Sequence, residues 1–207
     1  MKRSVVLLVL SLAMSWAERQ VATIYDLVNL SENGTWNERV SYCPDFRDCD
    51  PLIGDDMISS ACVQGVDYYY NHENNGTVEW GFGDGECWNL QYVNDQVSSL
   101  RYVGDAINWK ENTMNLYQFD YFSGLEYFAF GETPELPGYM TSVDSLIITG
   151  DIIWSVFSGE NFTGELTCFA IHEGYYVGFA ADLSLFGIQT IKSFRPGCVG
   201  ARTILLD

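Results

Sequence analysis

The stretch Asp55-Asp56-Met57-Ile58-Ser59-Ser60-Ala61-Cys62-Val63-Gln64-Gly65 recurs 39 residues later as Asn94-Asp95-Gln96-Val97-Ser98-Ser99-Leu100-Arg101-Tyr102-Val103-Gly104. An acid or amide, an aspartate, an apolar residue, two serines and a glycine fall in register. A shorter third copy, Ser145-Leu146-Ile147-Ile148-Thr149-Gly150, follows Ser99 by 46 residues, and a fourth, Ser193-Phe194-Arg195-Pro196-Gly197, follows Ser145 by 48. Self-similarity at a period of roughly forty residues marks stacked or paired supersecondary units. The units read as strands. Short runs rich in Tyr, Phe, Val, Ile and Trp, such as Val21–Tyr25, Val66–Tyr70, Gly124–Phe130 and Trp154–Phe157, are separated by Gly, Asn and Asp clusters. That pattern predicts an all-β protein.

A second signal interleaves with the first. Tyr117, Phe122 and Gly124 fit aromatic-x4-aromatic-x-Gly, as do Phe157, Phe162 and Gly164. An aromatic at each end covers a folded hairpin, and the glycine permits its backbone. The first two units depart from this pattern: Tyr25 is followed by Leu30 and Glu32, and between Tyr69 and Gly76 the aromatic is replaced by Asn74.

Four units with these hairpin and serine-strand signatures resemble the βγ-crystallin superfamily, from roughly Val21 to Cys198. The resemblance implies two tandem βγ-crystallin-like domains, each a β-sandwich of two Greek-key motifs, over 18–105 and 112–198. Residues 106–111 would be the linker and 199–207 a C-terminal tail. Calcium-binding members of the superfamily are similar to this chain at the hexad Asn/Asp, Asn/Asp, x, x, Ser/Thr, Ser, which Asp55–Ser60 and Asn94–Ser99 both satisfy. The resemblance implies two reciprocal sites in the first domain, each taking oxygens from one hexad and a serine hydroxyl from the other.

The residue types suit a hard cation, because calcium takes six to eight oxygens from carboxylates, amides, carbonyls, hydroxyls and water. Asp56 and Asp95 would supply charge, Asp55 and Asn94 side-chain oxygens, Met57 and Gln96 main-chain carbonyls, and Ser59 and Ser98 the crossing hydroxyls. Ser60 and Ser99 would hold the turns, and Ile58 and Val97 point into the core. The second domain's equivalents, Met140–Ser145 and Ile188–Ser193, lack the acid/amide pair, and Lys192 places a positive charge there. No calcium is expected in that half.

Around this nucleus the remaining sequence narrows the class of protein. The 207-residue chain carries 10 Lys and Arg against 28 Asp and Glu, a net charge of −18. Such a chain lacks the bases needed to neutralise phosphates or anionic lipid, so no nucleic-acid partner is expected. Aromatics at 15% exclude an acidic disordered tail. Lys2 and Arg3, the apolar run to Met14, and Ser15-Trp16-Ala17 predict a cleaved secretory signal over 1–17 and an extracellular product with no membrane span. Cys43, Cys49, Cys62, Cys87, Cys168 and Cys198 all follow it, and an even count in an oxidising compartment predicts disulfides. Zinc is the competing reading, weakened by the lack of any CxxC pair. Cys168 and Cys198 lie far from the others and are expected to pair, whereas the other four allow three connectivities. Asn29, Asn33, Asn75 and Asn161 head Asn-x-Ser/Thr sequons. The acidic stretch Asp45–Asp56 reads as a solvated loop.

No nucleophile elbow, zincin or P-loop motif occurs, so an enzyme is not expected. The leading reading is a secreted, non-enzymatic calcium-binding protein of structural or extracellular-matrix type. Two alternatives stand beside it: a defence, toxin-like or inhibitor module, and a carbohydrate- or surface-binding module using exposed aromatics such as Tyr68, Tyr69 and Tyr70. The protein or glycan partner is not legible from the sequence.

Overall fold

The structure is a computed structural model that describes residues 19–50, 52–72, 75–200 and 202–206, without the side chains of His72 and Asn75. The expected signal over 1–17 lies outside the described residues. Its regular structure is nearly all strand, in antiparallel sheets with one parallel pairing among the described residues.

The first half contains β1 (Val21–Tyr25), β2 (Trp36–Arg39), β3 (Ser60–His72), β4 (Asn75–Asn89) and β5 (Ser99–Tyr102), with a single helical turn, α1 (Phe46–Cys49), between β2 and β3. The strands run in the order β2-β1-β3-β4, with β5 added on β3. β3 serves two layers. Its first residues, Ser60–Gln64, pair with β1, and Asp67–Tyr70 pair with β5. The change of layer falls at a register shift between Val63 and Gln64 and at Gly65, whose φ of 117° suits glycine. Gln20 staples the bend: its Oε1 accepts from Val66 N–H at 2.9 Å and its Nε2 donates to Asp105 O at 3.0 Å.

The second half repeats the frame with the layers separate. β6 (Thr113–Tyr117), β7 (Glu126–Ala129), β8 (Ser145–Thr149) and β11 (Val177–Ala180) form a sheet in the order β11-β8-β6-β7. β9 (Trp154–Phe157), β10 (Leu166–Ile171), β12 (Ser193–Pro196) and β13 (Thr203–Leu206) form the other, in the order β12-β9-β10-β13. In each half the last strand of the first sheet comes from the second repeat, which is the Greek-key exchange the repeats imply. Matching isolated bridges, Cys43 to Leu100 and Thr133 to Phe194, complete the correspondence. The residues read as a C-terminal tail hold β13, which pairs in parallel with β10.

Each half has its own core. Ile24, Phe46, Ile53, Ile58, Tyr69 and Val97 fill the first, and Leu146, Trp154, Phe169 and Phe194 the second. A third cluster joins the halves. Val66, Tyr68, Tyr70 and Val103 meet Tyr117, Phe122, Ile147 and Val177, with Trp109 of the expected linker buried among them. Tyr70 Oη donates to Phe122 O at 2.6 Å, and Arg101 pairs with Glu126 at 3.4 Å while donating to Gly124 O. Alternation along β3 sends Tyr68 and Tyr70 to the interface and Tyr69 to the first core, so all three are fully buried. The expectation that these tyrosines form an exposed binding surface is therefore corrected: a second hydrophobic half covers the face that alternation turns outward.

Asp67, beside Tyr69 on the same side of β3, is 2% exposed, and its Oδ2 has no hydrogen-bond partner. Burial pushes its carboxyl up to about 8.

Three disulfides, Cys43–Cys49, Cys62–Cys87 and Cys168–Cys198, use all six cysteines. The last pair is the expected one, and the first two select one of the three open connectivities. Among the described residues no helix is long and apolar enough to cross a membrane.

Candidate metal centre

The two hexads meet at one end of the first half, in the loops leading into β3 and β5. Asp56 and Asp95, the second residue of each, are left-handed, with φ of 57° and 52°. Aspartate tolerates that conformation better than most side chains. The loops then cross: Asp56 N–H donates to Val97 O at 3.1 Å, and Asp95 N–H donates to Ile58 O at 3.0 Å. This exchange is reciprocal, as a local two-fold requires. Ile58 and Val97 are fully buried beneath it, as alternation predicts. Met57 and Gln96 carry exposed side chains.

The fifth residues bring oxygens together. Ser59 N–H donates to Tyr25 O and Ser98 N–H to Tyr70 O, both at 2.8 Å. Ser59 Oγ lies 3.1 Å from Asp26 O and 2.8 Å from Asp95 Oδ1 of the other hexad. Ser98 Oγ lies 3.3 Å from Asn71 O, the matching carbonyl of the second repeat. Asp55 Oδ1 and Asn94 Oδ1, the first residues of the two hexads, are both buried without a hydrogen-bond partner. Each such oxygen costs roughly 1–3 kcal/mol unless water or a cation sits on it. The pair occurs at corresponding positions, so the donor set fits a hard, oxygen-seeking cation.

No group of three or more His, Cys, Asp or Glu among the described residues is placed to hold a metal. The clusters here differ in kind, since each combines hexad side chains with a hydroxyl and a main-chain carbonyl.

Two buried carboxylates shape the approach to each hexad. Glu79 on β4 accepts from Gln91, Tyr92 and Val93 N–H and from Trp88 Nε1, fixing the loop before Asn94. Asp50 accepts from Leu52 and Ile53 N–H and from Asn37 Nδ2, fixing the loop before Asp55. Reading Asp45–Asp56 as a solvated loop therefore fails at Asp50, which is 1% exposed. Asp45 caps α1 through Arg47 N–H.

The sixth residue is a structural serine. Ser60 Oγ donates to Leu27 O at 2.6 Å and accepts from Leu30 N–H at 3.2 Å. Ser145 makes the same pair with Phe119 O and Phe122 N–H, and Ser193 with Gly159 O and Phe162 N–H. Each serine pins a folded hairpin whose covering residue, Leu30, Phe122 or Phe162, is itself left-handed. Leucine thus serves in the first repeat where the later ones use phenylalanine. The second repeat abandons the folded hairpin, because β3 and β4 run on as one long ribbon.

Two halves built alike, each exchanging a strand between its repeats and each pinned by the same serine, decide the architecture. The chain has the βγ-crystallin fold. Its structure is similar to that of Geodin, a βγ-crystallin from Geodia cydonium, with a TM-score of 0.63 and 14% identity, over 86% of this chain and 99% of that one. Further matches include the fifth crystallin domain of the non-lens protein Absent in melanoma 1, with 28% identity, a TM-score of 0.34, and 42% of this chain and 87% of that one covered. Protein S complexed with calcium matches with 16% identity and a TM-score of 0.34, over 86% of this chain and 99% of that one. No protein-family model matches the chain, and no curated protein sequence does.

Within this βγ-crystallin fold the second half lacks the crossed loops. Asp144 and Lys192 stand where Ser59 and Ser98 do, with their N–H groups donating to Tyr117 O and Phe157 O. Thr141 and Gln189, matching Asp56 and Asp95, are not left-handed. Asp144 lies with Asp120 and Asp182 around a surface depression, where desolvation and the two neighbouring carboxylates raise its pKa. Of the sequons, Asn29, Asn33 and Asn161 are exposed, and the Asn75 side chain lies outside the described residues.

Proposed function

We propose that the first half, residues 18–105, binds two calcium ions through its crossed hexads. One site draws on Asp95, Ser59 and the Asp26 carbonyl, and the other on Asp56, Ser98 and the Asn71 carbonyl. Asp55 and Asn94 contribute their buried oxygens, and Met57 and Gln96 their carbonyls. The observation that carries this reading is the pair of orphaned Oδ1 atoms on Asp55 and Asn94, the first residues of the two crossed hexads. On this reading the protein is a secreted, non-enzymatic, structural calcium-binding protein. The three disulfides suit an oxidising compartment, and the signal over 1–17 would direct the chain there. With few carboxylates per site, affinity falls between roughly micromolar and millimolar, as for extracellular modules.

Thermal melting of the full mature chain tests this. Calcium at a hundred times its Kd stabilises the folded state by about 2.7 kcal/mol per site. The melting temperature therefore rises with calcium and returns with chelator. Asp56→Asn together with Asp95→Asn, which keep a side chain tolerant of the left-handed turn, removes most of that rise. An unmoved melting temperature contradicts the reading.

A further inference from the structure

Between the two halves runs a groove of about 720 Å³, within the size range of small-molecule sites. Trp80 and Trp88 of the first half line it, with Tyr92 on the loop after β4 and Tyr121 on the hairpin of the second half. Trp80 is 37% exposed, Tyr121 53% and Tyr92 71%. Aromatic faces left this open, on both walls of one groove, have no folding role that demands exposure.

Both tryptophan rings are packed in place, and the backbones of the two tyrosines are fixed. Trp80 packs 6.1 Å from Tyr68 and 5.7 Å from Phe122, ring centre to ring centre. Trp88 lies edge-on to Tyr69 at 5.9 Å and donates from Nε1 to Glu79 at 3.1 Å. Its six-membered ring lies over Gly81, where a Cβ would fall 2.0 Å from the indole, so only glycine admits it. Glu79 also accepts from Tyr92 N–H at 2.8 Å, which fixes that wall. Tyr121 is left-handed, with φ of 49°, and its N–H donates to Ala181 O at 2.8 Å. Rigid aromatics supply contact area at low entropic cost, and a site fixed before binding spends little on ordering.

The polar groups select the ligand. Gln91 comes from one half and Asp120 from the other, and no lysine or arginine is among the described lining residues. Glu79 is saturated by its own donors. Acceptors on the rim and an acidic chain of net charge −18 disfavour phosphates, sulfates and nucleotides. They favour a ligand that presents hydroxyl donors at its edge and apolar C–H faces to the rings. We propose that this groove binds a neutral, hydroxyl-rich saccharide, stacked on Trp80, Tyr92 and Tyr121 and hydrogen-bonded by Gln91 and Asp120. The site is distinct from the crossed hexads and does not rest on their binding calcium.

The test is a titration of the full mature chain, with calcium and with chelator, against neutral oligosaccharides of glucose, mannose, galactose and N-acetylglucosamine. A sulfated oligosaccharide and an apolar dye serve as comparators, and tryptophan emission and calorimetry as readouts. At least one neutral saccharide shifts the emission and saturates in one of the two conditions. Tyr92→Ala and Tyr121→Ala, both at exposed positions, each weaken it about tenfold or more while leaving the melting curve in place. The proposal is overturned if no neutral saccharide binds at millimolar concentration, if only the sulfated sugar or the dye binds, or if both variants bind as the parent does.

Discussion

Ser59, Ser98, Asp144 and Lys192 occupy one position in four repeats, and each donates its backbone N–H to a carbonyl of the strand that opens its repeat. The backbone frame at this position is therefore common to both halves, while the side chains diverge. In the first half the loops cross at left-handed aspartates, and Ser59 meets Asp95 of the other hexad while Ser98 meets the Asn71 carbonyl. In the second, an aspartate and a lysine take their places, and Thr141 and Gln189 are not left-handed. In three repeats the sixth residue of the hexad, the serine, pins the folded hairpin, whereas the first, second and fifth differ between the halves. At those three positions both repeats of the first half carry oxygen-bearing side chains.

The sharpest way to separate the halves is by pH, through Asp67. Its unfolded carboxyl titrates near 3.9 by the usual reference, and its folded value is about 8. Between those values unfolding releases a proton, so stability falls as pH rises and is flat above the folded value. The loss is about 1.4 kcal/mol per pH unit. Melting of the first half should therefore decline from pH 5 to pH 8, and Asp67→Asn should flatten that decline and raise the melting temperature at pH 7. Equal pH slopes in parent and variant would break this contrast.

A second handle is the cross-link of the other half. Cys168–Cys198 closes a sequence separation of 30 residues, and its removal by paired Cys→Ser substitution should cost about 3–4 kcal/mol. Calcium should not restore that loss if the ion acts on the first half as proposed. Full rescue by calcium would erase the distinction drawn between the halves.

The smallest effect tests what the halves share. Ser60→Ala, Ser145→Ala and Ser193→Ala each leave a hairpin N–H without its acceptor and should cost about 1–2 kcal/mol apiece, measured by denaturant unfolding. Near-equal losses sharpen the idea of a common frame. A loss confined to Ser60 would tie that serine to the ion instead.

Much of this frame was legible in the sequence because its demands are local. A serine that pins a hairpin and an aspartate in a left-handed turn recur at fixed spacing, so repetition exposes them. Leu30 escaped the aromatic pattern because the hairpin needs an apolar cover on a left-handed backbone, and leucine suffices. Asp50 and Glu79 were lost among 28 acids, since their partners are backbone N–H groups brought near only by folding. The burial of Tyr68 and Tyr70 was equally hidden: alternation shows which side chains share a face and says nothing of what that face meets. The Asp26 and Asn71 carbonyls leave no trace in residue type at all.

Calorimetric titration of calcium into the full mature chain tests the central claim most directly. The account predicts two binding events in the parent, both strongly weakened by Asp56→Asn with Asp95→Asn and untouched by Asp144→Asn. No binding in the parent, or binding that survives the paired change and disappears with Asp144→Asn, would contradict it.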